Sequence, residues 1–446
     1  MPAPTDPAVR DLYETRRYPA MSHPLSDPAV TAIAARLGGL DTAHPAQARI
    51  LEIGCASGHN LLPLALRWPA ADFTGIDLSP AAIATANELA AEADLPNVRF
   101  LATDLRDFDP GPEPFDFIIA HGFFSWVPDE VKRALLEFCP RHLAANGIAT
   151  ISLNLADGWA IRQPLVALAR KLTAPGAAPE PALALIRRTL DPATPYGALM
   201  TWVIDDMLAK GPDILAFDDF GPVCDAWAFD RFVQTAGQLG LRWLGESDPA
   251  ENLPSTLGPA ARTALEPLAR QPLLAQLIAD FATARTFRSG VLCRADAPVP
   301  TGAAKPFSLD LAIRAGQSRP PVMEPLVERL YHVLDAAAPC CPHLDAILAT
   351  LRLDHPGDLA EPLIEGITRG WILPRVESVV FSPDPPEMPA LNPLALACAR
   401  RKLPVVDIWH TPCAFPEHHY AIIAAMDGTR TTRDLATFAA STAPDL

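Results

Sequence analysis

Apolar runs of strand length alternate with helix-compatible stretches through the first third of the chain. Residues 49–55, 72–78, 98–104, 115–122 and 147–154 are five such runs, partly β-branched, and residues 58–67, 80–93 and 128–143 between them carry apolar positions at helical spacing. Strand and helix in alternation predict an α/β fold with a doubly wound, mostly parallel sheet. Ser79 is placed to cap the helix that Pro80 begins, and Pro128 stands at the start of the next in the same way. Only residues 105–114 separate the third and fourth runs, so that crossover is expected to be nearly free of helix.

Past Asn154 the period changes. Residues 159–216 are rich in Leu, Ala and Arg at helical spacing and predict a helical insertion. Residues 224–239 predict an amphipathic helix that stops at Gly240, ahead of a short strand at 241–245. A last strand at 286–294 brings the sheet to seven and closes the first domain near residue 296. Pro298, Pro300 and Gly302 make 297–305 a linker by composition. Helices at 323–337, 344–351 and 359–370 and a strand at 371–376 then suggest a smaller α+β, winged-helix-like domain. The resulting division is an N-terminal cap or lid (1–45), a ligand-binding core (46–158), a helical insertion or regulatory region completing the sheet (159–296) and a C-terminal domain (306–446).

Nearly half of the 446 residues are hydrophobic, enough for a substantial core, and the formal charge of -16 repels a nucleic-acid backbone. Arg16-Arg17, Arg187-Arg188 and Arg400-Arg401-Lys402 are too short to reverse that field, so no nucleic-acid partner is expected. The N-terminal residues lack the apolar segment of a secretory signal. No apolar run reaches membrane-spanning length, since Arg67 interrupts the best candidate, and a cytoplasmic protein without membrane insertion is expected. Its surface is compatible with an oligomer. The eight cysteines form no disulfide pattern. Cys340, Cys341 and His343, and His410, Cys413, His418 and His419, lack paired C-x-x-C spacing, so no metal is expected.

The chemistry concentrates at the end of the first run, Glu52-Ile53-Gly54-Cys55-Ala56-Ser57-Gly58, with an acid, Asp77, ending the second. A nicotinamide or flavin site would want G-x-G-x-x-G, with its middle glycine letting the backbone approach a pyrophosphate. Ala56 stands there instead. S-adenosylmethionine has no phosphates and asks for less anion binding, so it is the favoured ligand. The same two glycines would also serve a tight strand-to-helix turn with no ligand at all.

These residues resemble the first motif of class I S-adenosylmethionine-dependent methyltransferases. Asp77 resembles their ribose-binding acid, and Asp104-Leu105 their adenine-side motif. The resemblance implies that Glu52 holds the amino end of the methionine moiety and that Asp77 takes both ribose hydroxyls. Asp104 would take the adenine amino group, between Leu78 and Leu105. Gly54, Cys55, Ala56, Gly58, Asn60 and Ser79 would complete the cradle. His121-Gly-Phe-Phe-Ser-Trp-Val-Pro128 further resembles the H-G-x-x-S-W-V-P signature of bacterial methyltransferases with a methyltransferase regulatory domain, a group that includes protein-lysine methyltransferases of outer-membrane proteins. The likeness extends to Tyr18-Pro19, Ser22-His23-Pro24, Gly240–Gly245, Asp280-Phe281, Arg285–Arg288, Leu292-Cys293 and Met426–Thr429. By it, His121 ends the fourth strand beside the sulfonium, Trp126, Asn154 and Trp159 serve the acceptor, and Tyr13, Tyr18 and His23 belong to a segment that closes as a lid or packs on the sheet. Trp126 and Trp159 read equally well as hydrophobic core.

Two departures stand out. Where the group has Tyr-Asn-x-Tyr-Pro-Gly-Trp, this chain has Leu153-Asn154-Leu155-Ala156-Asp157-Gly158-Trp159, and Asp218-Asp219 replace a His-Glu pair. The expectation is N-methylation of lysine in a protein, without an unmistakable general base. The alternatives are a small-molecule or biosynthetic-peptide acceptor, or a non-catalytic scaffold that binds S-adenosylmethionine.

Overall fold

A computed structural model describes residues 18–174, 176–252, 257–298, 310–313, 324–337, 340–377, 384 and 386–442. Tyr13, Arg16, Arg17 and residues 299–305 of the linker lie outside them. The chain enters through helix α1 (Pro28–Leu37), capped by the Asp27 carboxylate, which accepts the Ala29 N–H at 2.9 Å. It then alternates as the apolar pattern requires: β1 (Arg49–Ile53), α2 (Leu61–Arg67), β2 (Asp72–Asp77), α3 (Pro80–Glu92), β3 (Val98–Ala102), β4 (Phe115–Ala120), α4 (Asp129–His142) and β5 (Leu143–Asn154). Ser79 caps α3 through the Ala82 N–H at 3.2 Å. No helix lies between β3 and β4. β5 starts earlier than its apolar run because the register against β4 shifts between Phe115 and Phe117, a bulge that takes in the less apolar residues before Gly147.

Helices α5 (Ala156–Leu172), α6 (Glu180–Thr189), α7 (Pro195–Ala209) and α8 (Pro212–Asp218) form the insertion, packed around Leu165, Leu183, Ile204 and Leu215. Helix α9 (Phe229–Gln238) begins later than its apolar spacing suggested. Asp225 and Trp227 donate their N–H groups to Ser125 and Asn154 carbonyls at 2.9 and 3.0 Å, which holds that segment extended along the end of β5. β6 (Leu241–Glu246), α10 (Pro259–Leu265), α11 (Pro272–Thr283) and β7 (Phe287–Arg294) follow, giving a seven-stranded sheet of order β3-β2-β1-β4-β5-β7-β6. β1 to β5 run parallel, and β7 is antiparallel to both neighbours. This is the class I methyltransferase arrangement.

One buried ion cluster ties the late strands to α11. Arg288 of β7 is fully buried, with its guanidinium on Asp280 at 2.8 to 3.0 Å and on Glu246, while Arg285 lies 3.4 Å from Glu246. Burial raises both carboxyls, and Arg288 opposes it.

The C-terminal region opens with β8 (Asp310–Ile313), α12 (Pro325–Ala337), α13 (Leu344–Leu351), α14 (Ala360–Thr368) and β9 (Ile372–Arg375), the two strands pairing antiparallel. Leu330, Tyr331, Ile347 and Ile372 form their core, which also takes in Ile33 of α1. Arg375 and Arg67 share the buried carboxylate of Asp27, and Trp68 donates to Glu377 at 2.6 Å. The remainder comprises α15 (Pro393–Arg400), the short strands β10 (Val405–Val406) and β11 (Pro412–Cys413), α16 (Glu417–Ala424) and α17 (Thr432–Thr442). α15 buries Leu394, Ala397 and Cys398 in the same cluster as Ala86 and Leu89 of α3, so this part of residues 306–446 packs on the sheet domain. Among the described residues, no helix is long and apolar enough to cross a membrane, and no three His, Cys, Asp or Glu side chains are grouped to hold a metal ion.

Candidate cofactor-binding site

The carboxyl ends of β1, β2 and β4 open into a cleft of about 1260 Å³, mouth included. Such crevices beyond the strand ends are where open α/β sheets place their ligands. Its floor is the loop after β1, where Gly54, Ala56 and Gly58 all adopt left-handed backbone, with φ of 76°, 46° and 77°. The sequence suggested that the two glycines admit a ligand. Their neighbours give a different reason: a Cβ on Gly54 would stand 2.7 Å from the Phe123 ring, and one on Gly58 would stand 2.8 Å from Phe100 and 3.0 Å from Ala86. Both are needed for the turn and for close packing within the protein, and Gly58 itself does not line the cleft.

Asp77, at the end of β2, fixes the loop from the other side. One carboxylate oxygen accepts the Ala56 N–H at 2.9 Å and the other the Ser79 N–H at 2.8 Å. Burial raises this carboxyl, and the backbone donors of Ser79, Ala56 and Leu78 oppose it. A carboxylate has about four acceptor positions, so these backbone donors still leave room for a ligand donor.

Tyr18, His23, Glu52, Gly54, Cys55, Ala56, Asn60, Asp77, Leu78, Ser79, Asp104, Leu105, His121 and Trp126 all line the cleft. Asn154 and Trp159 do not. The Trp159 indole donates to the Thr286 carbonyl at 3.0 Å and is buried as part of the core. Asn154 is buried at the end of β5 with its amide nitrogen unpartnered. Asp104 sits on the wall with both oxygens forked by Arg106, at 2.7 to 3.0 Å, so an adenine amino group would have to share that carboxylate. Tyr18 stands edge-on to Phe217 of α8, which joins the N-terminal strap to the insertion.

Polar atoms in this cleft await partners. Glu52 is buried, with Oε1 accepting the Asn60 amide at 2.8 Å and Oε2 unpartnered. Burial pushes its carboxyl up to about 8, helped by nearby Asp77 and opposed by Asn60. His59 Nε2, His121 Nδ1 and Trp126 Nε1 are also buried without a partner. The His23 and His121 rings stack at 4.1 Å, and burial lowers both, as it does His59, to about 4 for His23 and His59. Three histidines are therefore neutral near pH 7. No Lys or Arg is among the lining residues, whereas Glu52, Asp77 and Asp104 are. Such a wall offers a pyrophosphate no counter-charge and has acceptors for a ligand carrying an ammonium and hydroxyls. The unpartnered Glu52 oxygen fits an amino group, and Asp77 fits a pair of hydroxyls.

Sequence reasoning gives no role at this site to His59, Phe123 or His410. The first two lie within motifs read for other residues, and His410 enters only in a metal-type grouping with Cys413, His418 and His419. His410 comes from the loop between β10 and β11 and reaches Asn60 Oδ1 with Nε2 at 2.8 Å, a contact across 350 positions that no local pattern announces.

Comparison with known proteins agrees with this architecture. Residues 50–147 match the family described as a methyltransferase domain, and residues 211–294 the family described as a predicted methyltransferase regulatory domain. A curated relative, the uncharacterized protein RP789 of Rickettsia prowazekii, is 29% identical over 298 residues, which is 65% of this chain and 54% of that one. This chain spans about half the length of the curated relatives it matches. Among solved structures, PKMT2 from Rickettsia typhi superposes with a TM-score of 0.83 at 20% identity over 96% of this chain and 93% of that one. The same protein in complex with AdoHcy gives 0.81 at 21% identity, over 96% and 92%.

Proposed function

We propose that the chain is a class I, S-adenosylmethionine-dependent methyltransferase with a methyltransferase regulatory domain, and that it transfers the methyl group to the side-chain nitrogen of lysine in a protein; the matches to the two families support the first part. The observation that carries the reading is the cleft wall: three acidic side chains, neutral histidines and no lysine or arginine, at the strand ends where this fold places its cofactor. S-adenosylmethionine, when bound, supplies an electrophilic methyl on a sulfonium. Glu52 is suited to its amino group and Asp77 to its ribose hydroxyls, with Leu78 and Leu105 beside the base.

The rest is positioning and exclusion of water. Methyl transfer is an in-line displacement that needs the acceptor held about 3 Å from the methyl carbon. Trp126 and Phe123 offer apolar and aromatic surface at the cleft, where a lysine ammonium gains cation–π attraction and loses hydration. Loss of hydration lowers the amine's pKa toward neutrality and frees its lone pair. His23, His59 and His121, kept neutral by burial, add no competing positive charge.

A second acceptor class has its own support. Leu153, Leu155 and Ala156 offer no hydroxyl at the end of β5, and the Asn154 amide nitrogen stays unpartnered. Incubation with methyl-labelled cofactor and separate protein and small-molecule extracts tests both. Label on lysine in the protein fraction is expected, label confined to small molecules transfers the assignment to them, and cofactor binding without label in either leaves a scaffold.

The pH dependence of binding follows from Glu52. With its carboxyl raised to about 8, it is mostly protonated at pH 6 to 7, and a cationic amino group requires it ionised, so binding there must release a proton. Affinity is expected to climb with pH up to about 8, by at most about tenfold per unit, and then to level. The Glu52→Gln variant is expected to lose that rise, while any contribution from the ligand's own amine stays in both. Calorimetric titration of the two proteins between about pH 6 and pH 9 reads the difference, and parallel profiles contradict the role of Glu52.

A further inference from the structure

Asn60 is the junction of three distant parts of the chain. Its amide nitrogen donates to Glu52 Oε1 at 2.8 Å and to Ser26 Oγ at 3.0 Å. Its amide oxygen accepts the His23 backbone N–H at 2.8 Å and meets His410 Nε2 at 2.8 Å. A backbone N–H can only donate, which identifies the atom facing it as oxygen and requires His410 to carry its proton on Nε2. With both amide hydrogens and the oxygen engaged, Asn60 has a single orientation, and that orientation aims Glu52.

The His410 side is built to deliver one side chain. Its imidazole is fully buried, and its backbone is left-handed at φ 65°, a conformation that L residues adopt at a cost. Ser22 donates to the His410 carbonyl at 2.9 Å, so the strap that carries His23 is stitched to the same loop. Asp407 holds the loop from within, accepting the Trp409 and Thr411 N–H groups at 2.8 Å each.

We propose that His410 is a positioning residue of the cofactor site: the C-terminal region completes the site by locking Asn60, which in turn holds Glu52 toward the cleft. The His410 side chain is not among the cleft-lining residues and acts through Asn60, while its carbonyl holds Ser22 of the strap. The inference rests on the reading of this cleft as the S-adenosylmethionine site.

Calorimetric titration of the full-length protein with S-adenosylmethionine tests it. The His410→Ala variant is expected to raise Kd about tenfold, the worth of one buried hydrogen bond with its orienting effect. The His410→Gln variant, whose amide N–H reaches about as far as Nε2–H, is expected to restore most of that loss. Should His410→Ala not fold, Ser22→Ala loosens the loop by a single hydroxyl and is expected to raise Kd about threefold. A Kd unchanged by whichever of these variants folds, even with a lowered melting temperature, assigns His410 to stability alone and overturns the proposal. So does a Gln variant that restores the melting temperature but not the affinity. Failure of the unsubstituted protein to bind at all removes the cofactor reading first, and this inference with it.

Discussion

Replacing Asp77 by Ala is expected to weaken binding of S-adenosylmethionine by about 1.5 to 3 kcal/mol, roughly ten- to 150-fold in Kd. Two losses add in this variant. The first is the pair of charge-assisted hydrogen bonds to the ribose hydroxyls. The second is the anchor of the loop itself, because the two Asp77 oxygens hold the Ala56 and Ser79 N–H groups at 2.9 and 2.8 Å. Ala56 is in left-handed backbone, so the loop relaxes once its anchor goes. The Asp77→Asn variant separates the two. Its amide oxygen still accepts one N–H while the negative charge is lost, and it is expected to fall between the parent and Asp77→Ala. Binding unaffected by both substitutions contradicts the role of Asp77.

The largest loss of stability is expected from Arg288→Ala. The substitution leaves the buried Asp280 and Glu246 carboxyls with only the more distant Arg285 guanidinium, 3.8 and 3.4 Å away, and removing one member of a buried ion group costs about 3 to 5 kcal/mol. The pH dependence has a definite sign. Burial already raises both carboxyls, and without Arg288 to oppose it they rise further above their unfolded values. Stability contributed by such groups is present below the unfolded pKa and lost as pH rises through the folded one, so the variant is expected to lie closer to the parent at about pH 5 than at about pH 8. Urea unfolding midpoints at the two pH values measure this. Equal deficits at both contradict the assignment of the cost to stranded carboxylates.

The sheet was legible in the sequence because parallel strands buried on both faces read as continuous apolar runs, as β1, β2, β4 and β5 do, while the edge strand β3 is mostly exposed and was marked by its apolar residues alone. Ser79 and Pro80 marked the start of α3 for a purely local reason, the cap. Residues 224–228 were misread as helix because their apolar spacing was helical, while hydrogen bonds to Ser125 and Asn154, which spacing does not report, draw Asp225 and Trp227 along β5. The same limit applies at the site. Asp77 could be found because it ends an apolar run, where a parallel strand delivers its side chain to the crevice, and Glu52 because the segment from Glu52 to Gly58 resembles a family motif. Gly54 lines the cleft as expected, but the packing that also forbids a Cβ at Gly54 and Gly58 was not legible, because the atoms concerned belong to Phe123 and Phe100, far along the chain. Trp159 carries a motif position, yet its indole hydrogen is spent on Thr286, and the residue packs in the core. His410 drew notice only in a His and Cys grouping, because its contacts with Asn60 and Ser22 are tertiary.

The most direct test of the account is calorimetric titration of the full-length protein with S-adenosylmethionine, repeated with a nicotinamide dinucleotide. Saturable binding of one S-adenosylmethionine per chain, lost or strongly weakened in Asp77→Ala, with no heat from the dinucleotide, is the predicted result. Binding of the dinucleotide, or no binding of S-adenosylmethionine, contradicts the assignment of this carboxylate-walled cleft as a sulfonium cofactor site.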